Sequence, residues 1–422
     1  MRERATFVYV HLAAGPVPAG QLDIIEDGRN SHAIFQYGHR YLQRPDRVAV
    51  DPAALPLPDP GAADQTFRTA QGFALFNGIR DAAPDGWGRY LIAKAAGADP
   101  MEEFDYLIAS GDHRVGALAF GPDPINGPRR IAPWGDDAME GEQLDLAALL
   151  EAAERVQSVE RLDPNLRQFL EAGSSLGGAR PKAATTRNGT PWIAKFPAKD
   201  DSYPVCRVEH AAMTLAAECG LNVPQLALEQ VLGRDVYLIE RFDRFMQGGR
   251  LQRKSFASAL TMLEAQEIAA YHYSYRDLAE IIRQHGTKPT QDLRELFRRM
   301  VFNILVSNDD DHLRNHAFLF DGKGWRLSPL YDVVPRPRTG PHPNLILGVG
   351  DAGRQASLPN ALTSAAAFGL DAQEAVALID ELRLRVKRRW RPLLAAAGLD
   401  AAIIERLASC FARSETDEWQ TQ

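Results

Sequence analysis

The stretch DLRELFRRMVFNILVSN, residues 292–308, constrains the fold of this chain more than any other. Its apolar side chains fall at 293, 296, 297, 300, 301, 304 and 305, the i, i+3, i+4, i+7 ladder of a helix with one buried face. Three aspartates, Asp309, Asp310 and Asp311, follow at once. Adjacent carboxylates repel, and a solvated turn is the plain reading of such a triplet. The flanking residues argue for more. HAFLF (316–320) reads as a short strand, DGKG (321–324) as a turn and WRLSPL (325–330) as the returning strand, with Asp332 directly behind it. A buried helix would hold the polar loop rigidly, and the hairpin would fold Asp332 back beside it.

At 422 residues the chain is too long for one simple core and suggests two or three packed subdomains. A hydrophobic content of 45% and a charged content of 24% are those of an ordinary globular protein. A net charge of −7 argues against a dedicated nucleic-acid binder, although a local basic patch is compatible with it. Cys206, Cys219 and Cys410 lie far apart and form no CxxC pair, which suits a reducing cytosol and gives neither a zinc site nor a disulfide framework. The start, MRERATFVYVHLAAGPVPAG, has its apolar run broken at His11 and Gly15 and reads as a strand, with no signal peptide. No run of about 18 uncharged apolar residues suggests a membrane span.

Three segments are expected. Residues 1–125 read as a mixed α/β segment with strands at FVYVHL (7–12) and GALAF (116–120), ending in the linker GPDPINGPRRIAPWGDD (121–137). Residues 140–245 open with a helix at LDLAALLEAAERVQ (144–157) and continue with PKAATT (181–186) and PWIAKF (191–196) around Asn188-Gly189, a dipeptide that favours type I′ hairpin turns. A helix at 208–221 ends near Gly220, a plausible C-cap, and DVYLIERF (235–242) reads as a buried strand. Residues 246–422 read as almost wholly helical, with at least two more helices in the C-terminal third.

Within the polar loop, Asp310, His312 and Asn315 form D-x-H-x-x-N. Phosphoryl transfer needs a carboxylate to orient a hydroxyl and accept its proton, and oxygen ligands for Mg²⁺. In this reading Asp310 is the base, and Asn315 and Asp332 hold the metal. Asp309 and Asp311 read as solvated or capping residues. His312 reads as an imidazole bracing the loop, with a role as base the alternative. AGSSLGGARPK (172–182) offers glycines, including Gly177 and Gly178, whose backbone can approach phosphate. Lys195, on a strand with mostly apolar neighbours, is a candidate to pair with phosphate and with Glu209; the alternative is an edge-strand lysine in water. Backbone groups around Glu240 and Phe242 are candidates to hold and cover an adenine ring.

The D-x4-N spacing followed by Asp after a hairpin also describes the catalytic loop of protein kinases, and D-x-H-x-x-N occurs in lipid-kinase relatives. More specifically, DAAPDGWGR (81–89), GDHRVGALAF (111–120), SSLGGARPK, WIAKFP, VEHAAMTLAAECGLNVP, YLIERFDR, NDDDHLRN and LSPLYDV, in that order, resemble the HipA family of bacterial serine/threonine-kinase toxins. The resemblance implies a two-lobed, protein-kinase-like α+β fold with an N-terminal α/β subdomain and an all-helical C-terminal lobe. It implies use of ATP and Mg²⁺, with Lys195 the phosphate-binding lysine, Glu240 and Phe242 the hinge, Asp310 the catalytic aspartate, and Asn315 and Asp332 the metal ligands. It further implies autophosphorylation of a loop serine, matched by Ser175 with Ser174 its neighbour. Its expected partners are a helix-turn-helix antitoxin that carries the DNA contacts and a cytosolic protein substrate such as an aminoacyl-tRNA synthetase. Two alternatives remain at this point: a lipid or small-molecule kinase on the same fold, and a non-catalytic transcriptional co-regulator bound to a DNA-binding protein.

Overall fold

The computed structural model describes residues 2–27, 30–59, 65–97, 101–131, 145–158, 169, 172–337, 343–417 and 419–421. The last part of the expected linker, 132–137, lies outside these residues. The chain divides into two compact units, Met1–Lys199 with Asp243–Ala257, and Asp200–Phe242 with Ser258–Gln422.

The first unit is built on a five-stranded antiparallel sheet. Its strands are β1 (Arg2–Leu12), β2 (Gly15–Asp27), β3 (Asn30–Tyr37), β4 (Thr66–Arg68) and β5 (Leu118–Gly121), in the order β4-β3-β2-β1-β5. Both expected strands are present, FVYVHL as part of a longer β1 and GALAF as β5 with its register partner in β1. Alternation puts Val8, Val10 and Leu12 into one core with Leu22, Ile24 and Phe35 of the neighbouring strands and with Ile79, Phe104 and Leu107 of helices packed on that face. Each such side chain contributes roughly 1.5–3 kcal/mol by leaving water.

Farther along, β6 (Lys182–Arg187) and β7 (Thr190–Lys195) form an antiparallel hairpin. Asn188 and Gly189 have φ of 51° and 77°, the two positive values that a type I′ turn needs. That turn fixes the register, so Lys182 stands directly across from Lys195.

A second hairpin, Arg244–Gln247 with Arg250–Arg253, is tied to the rest of this unit by a buried ion pair. The Asp243 carboxylate accepts hydrogen bonds from the Gly116 amide at 2.8 Å and from Arg244 Nη1 at 2.7 Å. Arg244 also donates to the carbonyls of Gly116 and Arg114. Gly116 is glycine for cause: its φ is 76°, and a Cβ there would stand 2.8 Å from Cβ of Phe256.

The second unit begins with the helix Val205–Glu218, capped at Cys219 and followed by Gly220 at φ 75°. Strands β8 (Leu226–Val231) and β9 (Arg234–Glu240) pair antiparallel. The remainder is mostly helical. Helix Tyr275–His285 starts from a capping box of Ser274 and Asp277. Helix Pro289–Val306 carries the apolar ladder, and a short hairpin follows it, Ala317–Phe320 with Trp325–Leu327. The long helix Ala372–Ala396 buries Trp390, which stacks on Phe411 with ring centroids 4.5 Å apart. Among the described residues no helix is long and apolar enough to cross a membrane.

Removing one member of the Asp243–Arg244 pair leaves the other charge buried, a loss of about 3–5 kcal/mol. Arg244→Ala is therefore expected to lower the urea midpoint steeply, whereas Arg276→Ala, which breaks an exposed pair with Asp351, should shift it by less than about 1 kcal/mol. Equal shifts in the two denaturation curves would contradict the role given to the buried pair.

Candidate functional site

In the second unit the site begins where helix Pro289–Val306 stops. Ser307 takes a left-handed conformation at φ 54°, and its hydroxyl donates to the Cys410 carbonyl at 2.6 Å. The turn is closed by the Asn308 amide, which donates to the Asn303 carbonyl, and by the Asn308 side chain, which donates to Oδ1 of Asn303. Asn303 in turn donates to the Tyr275 hydroxyl at 2.9 Å. All three side chains are buried, so the loop starts from a satisfied polar network.

The three aspartates then diverge. Asp311, expected in solvent or as a cap, is instead only 1% exposed. Its Oδ1 accepts the Ile346 amide at 2.7 Å, tying the loop to a distant segment. Burial outweighs that amide and the nearby Tyr275 hydroxyl and pushes the Asp311 carboxyl up to about 7. The solvated-turn reading fails there because residue 311 faces inward, toward the helix Tyr275–His285. Asp309 and Asp310 stay half-exposed, and Arg336 pairs with Asp310 at 2.8 Å and lies 3.8 Å from Asp309.

Asp310 alone of the three is bound to Asn315. The Asn315 side-chain amide donates to the Asp310 carbonyl at 2.7 Å, which leaves Oδ1 of Asn315 as an available oxygen. Nδ1 of His312 accepts from the Arg314 amide, and its Nε2 lies 4.0 Å from Asp310. Arg314 pairs with Glu267 at 2.5 Å.

The segment 331–336 runs beside this loop. The Tyr331 hydroxyl donates to the Arg314 carbonyl at 2.6 Å, the Val334 amide to Oδ1 of Asn308, and the Arg336 amide to the Ser307 carbonyl. Three bonds along the strap carry Asp332 back to the loop that begins the hairpin. Asp332 has φ 61°, an unusual value for a non-glycine residue. Burial, followed by the charges of Glu209 and Asp332, holds the Tyr237 hydroxyl well above its usual range, so these two carboxylates lie near one buried phenol. The Phe242 ring packs on Tyr331 with centroids 5.4 Å apart, and the Glu240 amide donates to the Gln225 carbonyl.

The donor set at Asn315 and Asp332, one amide oxygen and one carboxylate, suits a hard cation that keeps waters and phosphate oxygens among its ligands. Among the described residues no group of three or more His, Cys, Asp or Glu side chains forms a denser cage.

The other expected residues belong to the first unit. Ser174 is fully buried, and its hydroxyl accepts from the Gly111 amide. Ser175 is buried, and its hydroxyl has no hydrogen-bond partner. Gly178 has φ 84°, and a Cβ there would meet Nζ of Lys182 at 2.4 Å. Lys195 is 9% exposed at the end of β7, so it is no edge residue standing in water. Sequence reasoning missed Lys182. It is buried, it faces Lys195 across the hairpin, and its ammonium donates to the Gly177 carbonyl at 2.6 Å. The signal was available, because counting back from the Asn188-Gly189 turn pairs 182 with 195. The register sets these two cationic side chains on the same face of the hairpin.

Comparison with known proteins agrees with this architecture. A family model described as the HipA-like C-terminal domain matches residues 174–390, more than half of the chain, and one described as the HipA N-terminal domain matches 10–121. Two proteins of Sinorhizobium fredii, named "Putative kinase Y4mE" and "Putative kinase Y4dM", are each 27% identical to it. The first alignment covers 72% of this chain and 73% of the relative, the second 75% and 74%. Among solved structures, HipA of Shewanella oneidensis, determined with HipB and its operator DNA, superimposes with a TM-score of 0.69 at 17% identity over 99% of both chains. The fold is thus the kinase-like α+β fold of HipA. This chain belongs to the HipA family.

The Asp311 environment sets a pH dependence. A carboxyl near 7 when folded and near 3.9 when unfolded makes the folded state hold the extra proton between those values. Its stabilising contribution is therefore full below about pH 4 and lost as pH rises to about 7. Asp311→Asn keeps an oxygen for the Ile346 amide without a charge. The stability difference between variant and parent is expected to grow in the variant's favour from acid to neutral pH in denaturation curves. A difference that stays flat with pH would mean that the carboxyl titrates normally.

Proposed function

We propose that this protein is an ATP- and Mg²⁺-dependent serine/threonine protein kinase and acts as the toxin of a toxin–antitoxin pair. The observation that carries the reading is the strap: three hydrogen bonds from residues 331–336 to the loop 307–315 return the chain at Asp332 to the loop of Asp310 and Asn315. Asp310 is the base that accepts the proton of the attacking hydroxyl while that oxygen forms its bond to the γ-phosphorus and ADP leaves. Its ion pair with Arg336 is half-exposed on both sides, so releasing it costs little. Oδ1 of Asn315 and the Asp332 carboxylate hold Mg²⁺, which when bound neutralises triphosphate charge. Lys195, with Lys182 beside it, binds phosphate. Gly177 and Gly178 allow the loop that carries Ser174 and Ser175 to approach it. Backbone at Glu240 and the Phe242 ring hold adenine.

In the same reading Ser175, or its neighbour Ser174, is the autophosphorylation site. The partner is a small helix-turn-helix antitoxin, by analogy with the HipB and operator DNA found with the Shewanella relative. A chain of net charge −7 would then meet DNA chiefly through that partner. The substrate is a cytosolic protein, for which an aminoacyl-tRNA synthetase is the candidate that family likeness supplies.

Loss of a general base is expected to slow transfer by about 10²–10⁴-fold. Asp310→Asn should therefore bring both growth inhibition and incorporation of labelled phosphate into protein close to background, and Asp332→Ala should lower both while raising the Mg²⁺ concentration that the residual transfer needs. Arg336→Ala should leave activity within a few-fold of the parent. Equal toxicity of parent and Asp310→Asn, with neither labelling protein, would end the kinase reading and favour a co-regulator. Label that moves only to a small molecule would redirect it to that substrate class.

A further inference from the structure

The helix Gly86–Ala96 begins inside the segment matched by the HipA N-terminal domain, and its first turn does something the helix itself does not need. Asp85 caps it by accepting the Gly86 amide, yet two of the next three residues are glycines, which are poor helix formers. Close approach explains both. A Cβ on Gly88 would stand 2.4 Å from the carbonyl oxygen of Ser174 and 3.1 Å from that of Leu176. A Cβ on Gly86 would stand 3.0 Å from the Gly178 carbonyl oxygen and from Cα of Ala179.

Between these glycines, Trp87 makes two hydrogen bonds to the same loop. Its backbone amide donates to the Gly178 carbonyl at 2.8 Å, and its indole Nε1 donates to the Lys182 carbonyl at 3.0 Å. Gly173 closes the contact from the loop side, where a Cβ would meet Leu91 at 2.9 Å and the Lys182 carbonyl at 3.1 Å. Trp87 is only 4% exposed, and Ser174 and Ser175 are buried under this contact.

We propose that Gly86, Trp87 and Gly88 form a seat that holds the Gly-rich loop 173–182 closed, which makes the N-terminal domain a working part of the phosphate site. Trp87 is the positioning residue. It fixes the loop at two points, Gly178 at the crest and Lys182 where the loop enters β6, without touching nucleotide itself. The consequence for phosphate binding rests on the kinase reading above; the closure of the loop does not.

The test uses the full chain carrying Ser175→Cys as a reporter. The native Cys206, Cys219 and Cys410 are all buried and serve as internal controls. Labelling of the introduced thiol by a thiol reagent, followed by peptide mass spectrometry, reads how often the loop opens. Adding Gly88→Ala, whose Cβ clashes with the Ser174 carbonyl, should raise that labelling rate roughly tenfold, although alanine suits a helix better than glycine. Trp87→Phe, which keeps a ring and loses the indole donor, should raise it by a comparable factor. In the protein that retains Ser175, the same two changes should raise KM for ATP several-fold with kcat nearly unchanged.

Labelling of the reporter thiol as fast with the seat unaltered as in the variants would overturn the proposal. So would equal acceleration at the reporter and the three native cysteines, which reports general unfolding, and so would faster reporter labelling with KM for ATP unmoved. If the parent transferred no phosphate and bound no ATP, the kinase reading would fail, and the labelling rates would still decide whether the seat exists.

Discussion

The second unit depends on the end of one helix. Leu296, Phe297, Met300, Val301, Phe302, Ile304, Leu305 and Val306 are all fully buried, so helix Pro289–Val306 has almost no freedom to shift or fray at its last turn. That rigidity is passed on through Ser307, whose left-handed backbone turns the chain sharply out of the helix and whose hydroxyl and carbonyl are both engaged. A loop hung on a loosely packed helix would let three neighbouring carboxylates spread apart. Here Asn303, Asn308 and Asp311 pull it inward, and only Asp309 and Asp310 are left toward solvent. One buried network thus decides which of the three aspartates faces inward and which two face solvent.

The first unit solves the opposite electrostatic problem. Its hairpin register sets Lys182 against Lys195, and burial of both would be costly if nothing answered their charge. Part of the answer is local, since the Lys182 ammonium donates to the Gly177 carbonyl and so pulls the Gly-rich loop over itself. That contact also explains the composition of the loop, because a side chain at Gly178 would occupy the space of the Lys182 ammonium. The glycine at 178 is therefore needed for steric room around Lys182 as much as for its positive φ.

Much of this was legible in the amino-acid sequence, for definite reasons. The apolar ladder at 293–305 could satisfy only one helix, and Asn188-Gly189 could satisfy only one common hairpin turn. The turn at Leu232-Gly233 also has two positive φ values, 48° and 75°, and links β8 to β9, but a leucine there carries no turn signal. Its conformation is imposed by the pairing of the strands. Asp311 was illegible for a related reason. Which of three identical neighbours faces inward depends on Tyr275 and on the Ile346 amide, and no local pattern ties those positions together. The motif DAAPDGWGR pointed to a family and not to a role, since its glycines answer to a loop some ninety residues later.

Asp332 joins these themes. Glycine would accept a φ of 61° at no steric cost, and residues other than glycine hold such values only when their surroundings over-determine them. Here the surroundings are explicit: Tyr331 before it, and Val334 and Arg336 after it, are each hydrogen-bonded to the loop 307–315. The strap would run as well with glycine at this position, and with less strain. Keeping an aspartate therefore favours the carboxylate over backbone comfort, and the three hydrogen bonds offset what the left-handed conformation costs. The left-handed strain therefore falls on the acidic residue that the hairpin returns to the loop 307–315, and the hydrogen bonds of its neighbours on both sides hold it there.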